Sequence, residues 1–133
     1  MSDEENKIKQ TFSLAEKLFS EKKYRESIKN YEKILEKFPN MIGALNNIAL
    51  NYEMLGDLDQ AVLFYKKCYE LKPNETLILN NLANTLYRKN NYDEAIKVYE
   101  ESLEITNHQD EIINQYSHCI FLTRSKKDND VFF

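Results

Sequence analysis

The sequence predicts an all-α fold of seven helices, arranged as three antiparallel helix pairs and a capping helix. Three observations carry this prediction. Matched residue types recur every 34 positions through most of the chain. Within each interval, apolar residues follow the three-to-four-residue spacing of amphipathic helices. The 133 residues include only 2 Gly and 2 Pro, whereas barrels and sandwiches need many turn residues.

The repeat is visible as columns that take one residue from each of three copies. Four such columns are Ala15, Ala49 and Ala83; Tyr31, Tyr65 and Tyr99; Leu14, Ile48 and Leu82; and Ser27, Ala61 and Ala95. The alanine columns predict close approach between paired helices, and the tyrosines predict large wedges between neighbouring pairs. A single pair cannot bury its apolar face alone, so stacked neighbours are expected to supply the core.

Each copy contains two helices separated by a turn. In the second copy, Leu45, Ile48, Ala49 and Tyr52 lie on one helical face. Gly56-Asp57 predicts the turn, with Asp59 as a candidate cap for the next helix. The matching turns are expected at Lys22-Lys23 in the first copy and at Asn90-Asn91 in the third.

The repeats define the expected domain limits. We expect a flexible N-terminus over residues 1–5, a repeat domain over 6–125 and a disordered tail over 126–133. Within the domain, the copies cover about 8–41, 42–75 and 76–109, and the capping helix covers about 109–125. The tail ends in Val131-Phe132-Phe133, which is expected to be loose, although docking into a groove is an alternative.

These motifs resemble the tetratricopeptide repeat, a 34-residue helix pair with the pattern W-x₂-L-G-x₂-Y…A-x₃-F…P. The second copy matches it as Leu45-x₂-Ile48-Ala49-x₂-Tyr52, then Ala61-x₃-Tyr65, then Pro73. The resemblance covers about residues 6–107 and departs from the pattern at Thr11, Ser27 and Asn107. It implies a right-handed α-solenoid in which the first helix of each pair lines a concave groove.

The resemblance, together with the helical period, also implies which residues face the groove. The candidate peptide-binding residues are Phe12, Asn46, Asn47, Leu50, Met54, Leu77, Asn80, Asn81, Asn84, Arg88, Asn114 and Gln115. Asn47 and Asn81 lie one repeat apart, similar to the asparagine ladder of O-linked N-acetylglucosamine transferases. An amide can pair with any extended peptide backbone. The alternative is that these asparagines only solvate an exposed face.

The family also includes carboxylate clamps that grip the acidic C-termini of chaperones. Asn47 could match the middle asparagine of such a clamp. However, Phe12, Glu16 and Leu77 stand at positions where the clamp would have lysine or asparagine. A groove so poor in cations does not favour a terminal dicarboxylate.

Several classes of function are disfavoured by composition. Lys and Arg number 18 against 22 Asp and Glu, whereas a nucleic-acid binder is usually basic. No apolar run approaches the roughly 20 residues that span a bilayer, and the sequence has no CxxC, P-loop or HExxH motif. We therefore expect no enzymatic activity, no cofactor, no metal site, and no nucleic-acid or membrane partner. The acidic N-terminus and isolated Cys68 and Cys119 favour the cytoplasm.

The predicted function is a non-catalytic protein–protein interaction module, or adaptor, that binds a peptide segment or helix of a partner in its groove. Two alternatives stay open, a regulatory or targeting subunit of an enzyme complex and a chaperone-tail-binding co-chaperone. The expected oligomeric state is a monomer or a weak homodimer.

Overall fold

The computed structural model describes the backbone of residues 2–132 and the side chains of residues 2–127. Seven α-helices account for most of this part of the chain. They are α1 (Asp3–Ser20), α2 (Tyr24–Lys37), α3 (Ile42–Leu55), α4 (Leu58–Leu71), α5 (Thr76–Arg88), α6 (Tyr92–Ile105) and α7 (Asp110–Phe132). The number and order of the predicted helices are confirmed within this part of the chain.

The two ends of the chain differ from the predicted limits. Helix α1 begins at Asp3, because the Ser2 hydroxyl accepts a hydrogen bond from the Glu5 amide and caps it. Helix α7 runs to Phe132, well past residue 125, in a segment that contains no Gly or Pro to stop a helix. Phe133 and the side chains of Val131 and Phe132 lie outside the described residues. The predicted alternative, in which this tail docks into a groove, therefore concerns side chains outside the described part of the chain.

The three turns inside the repeats share one backbone conformation. Lys22, Gly56 and Asn90 stand 34 residues apart and have φ angles of 63°, 80° and 66°. At each turn, two amides bond back to carbonyls of the preceding helix, as Gly56 does to Glu53, and the helix thus ends in a left-handed residue. The predicted turn positions are confirmed. Asp57 rather than Asp59 caps α4, since its carboxylate accepts from the Gln60 amide at 3.2 Å.

The chain divides into two compact units, one ending at Leu71 and the other beginning at Lys72. In the first unit, α1 packs on α2, α2 on α3, and α3 on α4. Its core contains the fully buried Ala15, Ile48 and Ala49. The Tyr31 ring lies between α1 and α3, with its hydroxyl bonded to Asn47 and its edge against Phe12. The predicted wedge role of this tyrosine is confirmed.

The second unit contains α5, α6 and α7, with α6 packed on both α5 and α7. Ala83 and Ala95 are fully buried, as the alanine columns predict, and so is Tyr99. Cys119 of α7 is also fully buried, which fits the capping role predicted for this helix. One side of α7 packs against α6, whereas Phe121 on the same helix remains 66% exposed.

One column does not keep the same environment in all copies. Ile48 is fully buried, but Leu14, its match in the first copy, is 47% exposed. The reason lies in the packing within the first unit, where α3 has helices on two sides and α1 packs mainly against α2. A matched position is therefore buried only when a second helix covers it.

Candidate functional site

A cleft opens in the first unit between α1 and α3, with α2 at its base. We call it the unit 1 cleft, and its volume is about 160 Å³. It is lined by Glu16, Phe19, Tyr31, Asn47 and Leu50. An engineered apolar cavity of about 150 Å³ holds a benzene-sized ligand, so the cleft is large enough for the end of one side chain.

The helical period explains how these side chains come together. Glu16 and Phe19 are three residues apart on α1, and Asn47 and Leu50 are three residues apart on α3, so each pair shares a helix face. The two faces look toward each other across Tyr31, whose ring is 1% exposed. The walls are therefore partly apolar and partly polar, and one charged group stands among them.

The polar groups of the cleft are held in a defined arrangement. The Asn47 side-chain amide donates to the Tyr31 hydroxyl at 2.9 Å. Burial raises the pKa of Tyr31, the negative charge of Glu16 raises it further, and the Asn47 hydrogen bond opposes both. The tyrosine is thus neutral at physiological pH and keeps a hydroxyl proton that it can donate.

The second unit contains a matched site whose polar groups pair with one another. Tyr99 corresponds to Tyr31 two repeats earlier, and its hydroxyl contacts Asn84 Oδ1 at 2.7 Å and Gln115 Oε1 at 3.0 Å. Burial raises the pKa of Tyr99 far above its usual value. Here the hydroxyl already has acceptors within the protein, so the site is closed by its own side chains.

A neighbouring amide in the second unit is also committed to internal contacts. Asn80 donates to Gln109 Oε1 at 2.7 Å and accepts from the Ser102 hydroxyl. This arrangement joins α5 to α6 and to the segment before α7. Asn47, Asn80, Asn84 and Gln115 thus each make a side-chain hydrogen bond to another helix or segment, a contact that spacing alone did not predict.

The remaining candidate residues range from half-buried to exposed. In the first unit, Phe12 is half-buried beside Tyr31, with ring centroids 5.2 Å apart, and Met54 is 57% exposed one turn beyond Leu50. In the second unit, Leu77, Arg88 and Asn114 are exposed. Asn46 and Asn81 are half-buried, and both make further interactions with other residues.

Three lining residues were absent from the predicted set. Tyr31 lies on a second helix, so a rule restricted to first helices does not select it. Phe19 lies one turn after Glu16 on α1, and its i+3 spacing is the signal that could have identified it. Glu16 faces the predicted groove, but its column holds Leu50 and Asn84 in later copies, so no repeated chemistry singles it out.

The candidate metal ligands and the two thiols of the described residues can be located in the structure. The described residues contain no group of three His, Cys, Asp or Glu side chains placed to hold a metal ion. Burial raises the thiol pKa of Cys68 and of Cys119 to about 11, which keeps both thiols protonated and weakly nucleophilic. None of the described helices has both the length and the apolar character that crossing a membrane requires.

Comparisons with protein families give two matches. Residues 13–84 match the family described as "Domain of unknown function (DUF6340)". Residues 76–108 match the tetratricopeptide repeat. A comparison with curated proteins gives no match.

Solved structures with the same fold are domains built from tetratricopeptide repeats. The first such repeat domain of Spaghetti (RPAP3), bound to the HSP90 peptide SRMEEVD, is 22% identical, with a TM-score of 0.81 over 90% of this chain and 94% of that one. The Sgt2 domain from Aspergillus fumigatus is 17% identical, with a TM-score of 0.79 over 92% and 82% of the two chains. The TPR2B domain of yeast Sti1, in complex with pHsp70, is 17% identical, with a TM-score of 0.76 over 87% and 98%. The all-α tetratricopeptide repeat fold predicted from the sequence is thereby confirmed.

Proposed function

Because the chain belongs to the DUF6340 family and is built from tetratricopeptide repeats, we propose that it is a non-catalytic protein–protein interaction module. In this proposal, it binds a peptide segment or a helix of a partner protein on the face that α1 and α3 form in the first unit. The unit 1 cleft is the part of that face that engages the partner most closely.

The observation that carries the proposal is the open cleft with mixed walls. Leu50 and Phe19 offer apolar contact, while the half-buried Asn47 side chain offers hydrogen bonds. Met54 extends the apolar surface by one more turn of α3 and is 57% exposed. Recognition of a peptide needs this combination, with apolar pockets for side chains and polar groups for the backbone.

The structural relatives support the same class of function. The Spaghetti domain is described as bound to an HSP90 peptide, and the Sti1 domain as a complex with pHsp70. Their fold is the fold of this chain, so the same scaffold is able to present a binding surface for a peptide.

Affinity purification with a matched pair of variants tests the proposal. We expect Met54→Glu to reduce recovery of specific partners, because it places a charge on the apolar extension of the cleft. Leu63→Glu on α4 is the control, since Leu63 is also exposed, at 46%, and belongs to the same unit. Partners identified by mass spectrometry should be lost with Met54→Glu and retained with Leu63→Glu. Equal recovery with both variants would contradict the proposal.

Binding of an acidic chaperone tail is a distinct candidate, suggested by the peptide held by the Spaghetti domain. The unit 1 cleft does not favour it, because its single charged side chain is the carboxylate of Glu16 and like charges repel. We expect MEEVD, the acidic end of that peptide without its arginine, to show no saturable binding in isothermal titration calorimetry. Saturable binding that weakens with salt would instead favour the co-chaperone alternative.

A further inference from the structure

The repeat allows the same position to be compared in the two units. Glu16 in the first copy corresponds to Asn84 in the third. Asn84 accepts a hydrogen bond from the tyrosine of its own repeat, Tyr99. Glu16 lies close enough to Tyr31 to raise its pKa, yet among the described residues no hydrogen bond or ion pair to the Glu16 carboxylate is found.

The difference leaves a donor and a charge in the same cleft. The Tyr31 hydroxyl accepts from Asn47, and its own proton finds no acceptor among the residues that the structure describes. No Lys or Arg lines the cleft in the described part of the chain. Lys17, the neighbour of Glu16 in sequence, contacts Glu21 instead, and so does Lys23.

We propose that the unit 1 cleft binds the cationic side chain of an arginine or lysine in the partner peptide, with Glu16 as its counter-ion. The inference rests on the proposed function and names the chemistry of the ligand at that site. The Phe19 ring and Leu50 contact the aliphatic part of the bound side chain. The half-buried Asn47 side chain is placed to contact the adjacent peptide backbone.

Charge complementarity selects this occupant over others. A carboxylate without a partner, beside an aromatic ring, attracts a guanidinium or ammonium group through its charge and through the ring face. An acidic side chain would be repelled, and a neutral one would leave the carboxylate without a counter-ion. The matched site of the second unit lacks this selectivity, because Asn84 is neutral and already bonded to Tyr99.

Nuclear magnetic resonance titration of the full chain tests the inference with small probes. The probes are N-acetyl-arginine-N-methylamide, its lysine analogue, and the glutamine and glutamate analogues as controls. We expect the two cationic probes to shift the backbone amide signals of Asn47 and Leu50 and the side-chain amide of Asn47. The neutral and acidic probes should leave these signals in place, and added salt should weaken the cationic effect.

Glu16→Gln removes the negative charge from the cleft and keeps the shape of the side chain. Glu16 is exposed, so we expect the substitution to weaken binding of the arginine probe by about 1.5- to 5-fold, the range for an exposed ion pair. Glu26→Gln, an exposed carboxylate on α2 of the same unit, should bind the probe like the parent. Circular dichroism of both variants confirms that the helices are retained.

The outcomes distinguish this inference from the proposed function. Absence of a shift with the arginine probe, equal affinity of Glu16→Gln and the parent, or equal binding of the glutamate probe would each overturn the inference. If Met54→Glu still loses its partners in that case, the interaction function stands without the cationic ligand. If Met54→Glu retains every partner, the proposed function itself fails.

Discussion

Replacing Lys22 with glycine should stabilise the protein, because Lys22 ends α1 in a left-handed conformation. Its φ angle is 63°, and the matched residue one repeat later is Gly56, with a φ of 80°. A residue with a Cβ is strained in this region of backbone space, whereas glycine is not. The repeat thus places a lysine where its own second copy uses glycine.

The magnitude follows from two opposing effects. Releasing an L-residue from the left-handed region gains about 1–2 kcal/mol. Glycine also gives the unfolded chain more freedom, which costs about 0.4–1 kcal/mol. We therefore expect Lys22→Gly to raise the free energy of unfolding by about 0.5–1 kcal/mol. Gly56→Lys should lower it by a similar amount, since an added Cβ would meet no atom within 4 Å and only backbone strain is introduced.

Urea denaturation followed by circular dichroism measures both changes, provided that the m-value stays constant. Lys29→Gly is the matched control, because Lys29 is exposed in the interior of α2. Glycine there should destabilise the protein by about 1 kcal/mol. The reasoning would be refuted if Lys22→Gly lowered stability as Lys29→Gly does, or if Gly56→Lys left stability unchanged.

Three further predictions concern the core. Tyr99→Phe removes a hydroxyl that has two side-chain acceptors, so urea denaturation should show a loss of about 1–2 kcal/mol. Tyr116→Phe removes a hydroxyl whose hydrogen bond to Glu100 is exposed, so stability should change by less than about 0.5 kcal/mol. Equal losses of stability for Tyr99→Phe and Tyr116→Phe would argue against the structural role given to the Tyr99 hydroxyl. Ala49→Leu should cost about 1–3 kcal/mol by overpacking, since Ala49 is fully buried, and unchanged stability would refute its placement. Burial raises the pKa of Cys68 from 9.0 to about 11, so the unfolded state loses this proton first, and stability should fall as pH rises from about 9 to 11. In the Cys68→Ala variant, the urea midpoint should fall less steeply as pH rises. An unchanged fall would show that the Cys68 thiol is not its cause.

The candidate site was only partly predictable from the sequence. The groove-facing columns include Asn47 and Leu50, and both line the unit 1 cleft. Tyr31 was predicted as a wedge and not as a lining residue, because a rule based on first helices cannot show which side chain a second helix places at the base of the cleft. Phe19 was not selected, although its i+3 spacing from Glu16 on α1 could have identified it. The asparagines were predicted to face a ligand, but Asn47 already donates to Tyr31, a contact between α2 and α3 that helical spacing does not reveal.

The sequence by itself determined the helices, their turns and the buried alanine and tyrosine columns. These features depend on local backbone preferences and on side chains that repeat every 34 residues, as the left-handed conformation shared by Lys22, Gly56 and Asn90 illustrates. Tertiary structure alone decided how each matched position is used. Leu14 is exposed while Ile48 is buried, because burial requires a second covering helix. Glu16 lies in an open cleft while Asn84 is bonded to a tyrosine, because a pocket is defined by side chains from several helices at once.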